Sequence, residues 1–143
     1  FCRGDGGCGD HGEVPEPLAA VPVGDPDIVT HNVVDKSAAL IYRLSGDYNP
    51  IHISPKIAAK AGYDKPILHG LCTMGVAGHV LLENMADGDP ARFGGYACRF
   101  SRPVFPGDTL RTEIWNRDGG ASFRVVAEGR EEVVLDRGQA SLM

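Results

Sequence analysis

Pro66-Ile67-Leu68-His69-Gly70-Leu71-Cys72-Thr73-Met74-Gly75-Val76-Ala77-Gly78-His79-Val80-Leu81-Leu82-Glu83-Asn84-Met85 is the stretch on which the architecture turns. Beyond the proline, Leu71, Met74, Gly78, Leu81 and Met85 recur at steps of three and four, which puts them on one face of a helix over residues 71–85. Gly75 and Gly78 each cost about 1 kcal/mol of helix propensity. Small side chains at those positions let another backbone come close, so the stretch reads as a long helix buried against a sheet.

Downstream of Gly88 the pattern becomes that of strands, over residues 92–102, 109–118, 121–129 and 132–142. Pro103 and Pro106-Gly107-Asp108 separate the first two, and Asp118-Gly119-Gly120 is a hairpin signal. Phe123, Val125 and Ala127 alternate with Ser122, Arg124 and Val126, so one side of the third strand is the more apolar. Several strands with few crossovers predict an α+β fold: one antiparallel sheet curved around the helix.

Upstream, Ser54 caps a short helix that opens with Pro55 and stops at Gly62. Asp35 is a suitable cap for a helix over residues 36–44, ended by Gly46, and Thr30–Val34 reads as a strand. Residues 1–27, rich in Gly, Asp and Pro without periodicity, read as a linker or extended arm, which leaves 28–143 as the globular domain.

A chain of 143 residues with 43% hydrophobic residues can bury a core. Its formal net charge of −5, without a basic stripe, argues against nucleic acid as a partner. No apolar run reaches the roughly 18 residues of a membrane span. Cys2, Cys8, Cys72 and Cys98 lack the close pairs of a zinc knuckle. Cys72 and Cys98 read as buried thiols, and Cys2 and Cys8 could pair. His52, His69 and His79 match no common metal spacing, and no metal is expected. The glycines of Gly4-Asp5-Gly6-Gly7-Cys8-Gly9 lack the Lys-Ser/Thr of a phosphate loop.

Chemistry concentrates in Leu44-Ser45-Gly46-Asp47-Tyr48-Asn49-Pro50-Ile51-His52. A carboxylate and an imidazole on one turn can hold a water or divide the taking and giving of a proton. Asn49 can fix the loop or orient that water. The alternative is structural: Asp47 and Asn49 forming an Asx-turn, with His52 on the surface. Gly70, at the start of the long helix, offers an N–H with no intrahelical partner. Such a donor can receive a developing oxyanion, and glycine lets a substrate carbonyl approach.

Tyr42 to His52, followed by Ala58 and Ala59, resembles the signature of the MaoC-like, or R-specific enoyl-CoA hydratase (hydratase 2), family. Pro66-Ile67-Leu68-His69-Gly70-Leu71 resembles the segment opening that family's central helix. Arg102-Pro103-Val104-Phe105-Pro106-Gly107-Asp108-Thr109-Leu110 resembles its later strand start. The resemblance implies a hot dog fold, a curved antiparallel sheet wrapped around the long central helix. It also implies reversible hydration of trans-2-enoyl-CoA to (3R)-3-hydroxyacyl-CoA, with Asp47 and His52 as acid/base pair, Asn49 beside them and the Gly70 N–H in the oxyanion hole. No cofactor is implied, coenzyme A being part of the substrate.

Arg3-Gly4-Asp5-Gly6-Gly7-Cys8-Gly9 resembles the run that ends the first half of double-hot-dog hydratases, Cys8 standing where a Phe is usual. The chain then corresponds to the catalytic second half, and its expected partner is a second hot dog domain, either that first repeat or another copy. His69, Lys56, Lys60, Arg99 and Arg102 are the candidate substrate-binding residues, the basic ones for the CoA phosphates. The expected compartment is the cytoplasm, or the peroxisome in a eukaryote. The competing readings are an acyl-CoA thioesterase and a non-catalytic acyl-thioester-binding or structural half.

Overall fold

The computed structural model describes residues 16–143. Among them the elements run β1 (Ile28–Val33), α1 (Ala38–Tyr42), α2 (Pro55–Lys60), α3 (Gly70–Ala86), β2 (Phe93–Phe100), β3 (Thr109–Arg117), β4 (Gly120–Ala127) and β5 (Glu132–Leu142). The strands form one sheet in the order β1-β3-β4-β5-β2, every neighbouring pair antiparallel. The sheet curves around α3, as the hot dog fold requires.

Local chemistry accounts for the turns and the curvature. Gly119, at φ 71°, supplies the left-handed residue of the β3–β4 hairpin, which closes on the pair Arg117 and Gly120. The β4–β5 pairing shifts register between Phe123 and Val125, beside Arg137 at φ 53°. Such bulges bend a strand and increase its twist. Gly138 lies at this bend, where a Cβ would come within 2.5 Å of the Phe123 carbonyl oxygen.

The buried side of α3 carries Thr73, Ala77, Val80, Leu81 and Ala86. Of these, Ala77, Val80 and Leu81 share one core cluster with Leu110, Ile114, Phe123, Val125 and Leu135 of the sheet. The stripe expected from spacing is buried only in part: Leu81 is in the core and Met85 packs against it, while Leu71 is 64% exposed. A helix with apolar or small residues on almost every side does not specify one face through its pattern; the sheet chooses it. The two glycines also differ from expectation. Gly78 faces the hydroxyl of Tyr96, which donates to the Met74 carbonyl at 3.1 Å, so a side chain rather than a backbone occupies the gap. A Cβ at Gly75 would meet nothing within 4 Å among the described residues.

Asp35 Oδ1 accepts from Ser37 N at 2.7 Å, and the helix expected over 36–44 resolves into α1 and a 3₁₀ turn, Arg43–Ser45. Ser54 caps α2 as its type suggests, with Ile57 N donating to its Oγ. β4 is covered on both faces, Ser122 being as buried as Phe123. Trp115 stands opposite Ser122 and donates its indole N–H to the Gly24 carbonyl at 3.2 Å. Asp27 Oδ2 accepts from Asn116 N at 2.7 Å, and Arg137 donates to the Leu18 carbonyl at 2.8 Å. Residues 16–27 thus have no helix or strand, yet hydrogen bonds tie them to β3 and β5.

Nearby, Glu113 is buried between the guanidinium groups of Arg111 and Arg124. Cys72 and Cys98 are free, half-buried thiols whose pKa burial pushes up. The Cys2–Cys8 pairing and the Arg3–Gly9 resemblance lie outside the described residues. No helix among the described residues is long and apolar enough to cross a membrane.

Candidate active site

Gly46 ends the turn after α1 with φ 110°, a conformation glycine adopts without a Cβ penalty. The loop that follows is organised by its own short polar side chains. Asp47 Oδ1 accepts from Asn49 N at 3.2 Å. Asn49 Oδ1 accepts in turn from Ile51 N at 3.1 Å, capping a 3₁₀ turn over Pro50–His52. The Asx-turn of the structural alternative is therefore present and engages Asp47 through Oδ1, but the other part of that alternative fails, since His52 is buried and not on the surface. The other oxygen, Oδ2, stands 3.9 Å from His52 Nε2.

His52 is 9% exposed, whereas the Asp47 side chain is 53% exposed. His52 Nδ1 lies 2.8 Å from the Ile67 carbonyl. A carbonyl can only accept, so Nδ1 carries the proton, and in the neutral ring Nε2 is left as an acceptor. Two acceptors, a carboxylate oxygen and an imidazole nitrogen, then face one another. At 3.9 Å they are too far apart to bond directly. A water about 2.8 Å from each can donate one proton to either group and turn its oxygen outward.

His69 lies behind this pair. It is 1% exposed, its ring stacks on that of His52 with centroids 3.7 Å apart and planes at 24°, and its Nε2 is 3.2 Å from the Asp47 carbonyl oxygen. Burial lowers its pKa, partly offset by that bond to Asp47, and the neighbouring His52 lowers it further. The ring is thus held neutral with its proton on Nε2.

Gly70 is the first residue of α3 and is exposed. Among the described residues no side chain caps the helix start, and its first turn carries no acidic residue. Among the described residues no acceptor takes the Gly70 N–H. The donor is therefore open, at the positive end of a 17-residue helix. His52 and Gly70 share a cleft of about 300 Å³ whose walls include Leu68, Phe100, Val104 and Leu135.

Of the basic residues expected to bind substrate, Arg102 lines this cleft and, with Arg99, an adjoining recess. Lys56 and Lys60 are exposed and line neither. His69 is not among the cleft-lining side chains either. Sequence reasoning missed Phe100, which packs against Gly70, and Thr73, one turn further along α3. The i, i+3 spacing of Gly70 and Thr73 was the available signal for the latter. It also missed Lys36 and Lys65, which line a recess that His52 borders as well. They come from segments far apart in sequence, and no spacing announces them. Asp47, His52 and His69 bring potential metal-ligand atoms within 4.8 Å of one another. His79 lines a separate groove with Val33 and Leu71.

Comparison with known proteins matches residues 15–136 to the family described as "MaoC like domain". The 3-hydroxyacyl-thioester dehydratase Y of Mycobacterium tuberculosis is 46% identical over 143 residues, covering 95% of this chain and 49% of its own length. The peroxisomal multifunctional enzyme type 2 of Mus musculus is 40% identical, covering 100% of this chain and 20% of its own length. In three dimensions a MaoC-like dehydratase from Phytophthora capsici superposes with a TM-score of 0.89 at 40% identity, over 93% of this chain and 47% of that one. The chain thus spans half or less of the length of these relatives.

Proposed function

This chain belongs to the MaoC-like dehydratase family, and from that premise we propose that it hydrates trans-2-enoyl-CoA reversibly to (3R)-3-hydroxyacyl-CoA. One observation carries the reading: Asp47 Oδ2 and His52 Nε2 lie 3.9 Å apart, and His52 shares a cleft with Gly70, whose helix-start N–H is open among the described residues. The thioester carbonyl accepts the Gly70 N–H, which draws electron density from the conjugated double bond and makes C3 electrophilic. The water held by Asp47 and His52 attacks C3. One of the two groups takes its proton, and the same pair returns one proton to C2 on the same side, so that the elements of water add syn and the pair ends as it began. Asn49 serves by holding the loop: its carboxamide oxygen caps the turn that carries His52, and its N–H fixes Asp47 Oδ1.

The apolar walls of the cleft suit an acyl chain, and Arg102, which lines the cleft, and Arg99, in the recess beside it, are the proposed partners of the CoA phosphates. The name of the M. tuberculosis relative, a dehydratase of 3-hydroxyacyl thioesters, supports this substrate class. The compartment follows the host: the cytoplasm or, as the name of the Mus musculus relative suggests for a eukaryotic chain, the peroxisome.

The test is an assay on a short and a long trans-2-enoyl-CoA. Loss of enoyl absorbance without release of free thiol is the expected result. Thiol release would instead establish a thioesterase, and inertness toward both substrates a non-catalytic half.

A second hot dog domain is the proposed partner. Val33 and Leu71, 75% and 64% exposed, line a groove between the edge strand β1 and α3, with exposed Leu40, Ile41 and Leu44 on the preceding helical segment. Light scattering of the 143-residue chain is expected to give a dimer. A stable monomer would count against the pairing.

A further inference from the structure

The geometry points to His69 as the positioning residue that fixes the spacing between Asp47 and His52; this rests on the proposed hydratase reading. Its two contacts reach the two groups separately. The Nε2–H donates to the backbone carbonyl of Asp47 at 3.2 Å, and the ring face stacks on His52 with centroids 3.7 Å apart. Tyr42 packs against the same ring at 4.8 Å, so the imidazole has little freedom to rotate.

A purely structural filler would have another chemistry. His69 is 1% exposed, and its Nδ1 is buried without a partner among the described residues. An unpartnered buried nitrogen is unfavourable, and Phe or Leu would occupy the space without one. What His supplies and those residues lack is an N–H aimed at the Asp47 loop from a flat ring that lies on His52. Asp47 is exposed and its loop is otherwise held by local bonds, so the hydrogen bond from His69 anchors it to the start of α3. His52 is anchored to the same segment through the Ile67 carbonyl. Both reacting side chains are thereby referred to the segment that also presents the Gly70 N–H.

The test uses three substitutions in the whole chain. His69→Phe keeps a stacked ring and loses the N–H. His69→Gln places an amide N–H near the position of Nε2 and loses the ring. Asp47→Asn alone and combined with His69→Phe completes a cycle. Misplacement of reacting groups by about 1 Å can cost around 10²-fold in rate, so His69→Phe is expected to lower kcat by roughly 10–10²-fold with KM little changed, and His69→Gln to recover part of that loss. In the Asp47→Asn background His69→Phe is expected to add little, because the group it positions is already disabled.

Full kcat in folded His69→Phe, or losses that multiply in the double variant, would overturn the positioning role. Should His69→Phe fail to fold, a folded His69→Gln whose kcat falls while KM holds still supports the role, and one with neither parameter changed overturns it. Near-normal turnover in Asp47→Asn itself would instead sink the hydratase reading, so the two failures are told apart.

Discussion

Replacing Asp47 by Asn, or His52 by Ala, is expected to lower turnover on a short trans-2-enoyl-CoA by roughly 10²–10⁴-fold, the range for loss of a positioned acid or base. The reason is geometric. The water proposed between Asp47 Oδ2 and His52 Nε2 needs both acceptors, which stand 3.9 Å apart. The Asp47→Asn variant would present an amide in place of a carboxylate and could not take a proton. The His52→Ala variant would leave the water held from one side and remove the Nδ1–H from the Ile67 carbonyl. Asp47 is exposed and lies outside the core, so the melting temperature of the Asp47→Asn variant should stay close to that of the parent. Stopped assays with matched thermal melts check both statements, and retention of near-normal rates by both variants would refute the assignment.

Gly70→Pro is expected to cost about 10²–10³-fold in kcat, the usual effect of deleting one oxyanion donor. The substitution is unusually clean at this position. Gly70 is the first helical residue, where proline is favoured and no intrahelical bond is lost. His69 before it, at φ −60° and ψ 134°, already has the extended backbone that precedes a proline. Proline also adds a Cβ, which would lie 3.3 Å from the Phe100 ring. Gly70→Ala adds that carbon while keeping the N–H, and Phe100, half exposed, can move aside. The alanine variant is therefore expected to lose much less activity than the proline variant. Equal rates for the two would show that this N–H does not receive the substrate oxygen.

Several features were legible before any coordinates. The Asp118-Gly119-Gly120 turn, the Ser54 cap and the glycine stop at Gly46 are local, because each depends on residues within a few positions of one another. The strands followed for the same reason, since alternation and breakers act along the chain. Asp47, His52 and Gly70 could be nominated because turn residues and a helix start announce themselves by type. The nomination of Lys56 and Lys60 rested on charge alone, and charge does not say which cleft a side chain borders. Phe100, Lys36 and Lys65 were invisible because each comes beside the site through sheet pairing or loop packing.

Sequence alone settled the order of the elements, the α+β class and the residue types able to hold a water, because these follow from short-range backbone preferences and side-chain chemistry. Three-dimensional packing chose the face of α3 that is buried, turned Asp47 Oδ2 toward His52 while Oδ1 closed the turn, and set His69 behind both. Those choices join segments many residues apart, and competing arrangements of the same local pieces differ only in how their surfaces fit. That fit is a property of the assembled core, and no window of neighbouring residues contains it.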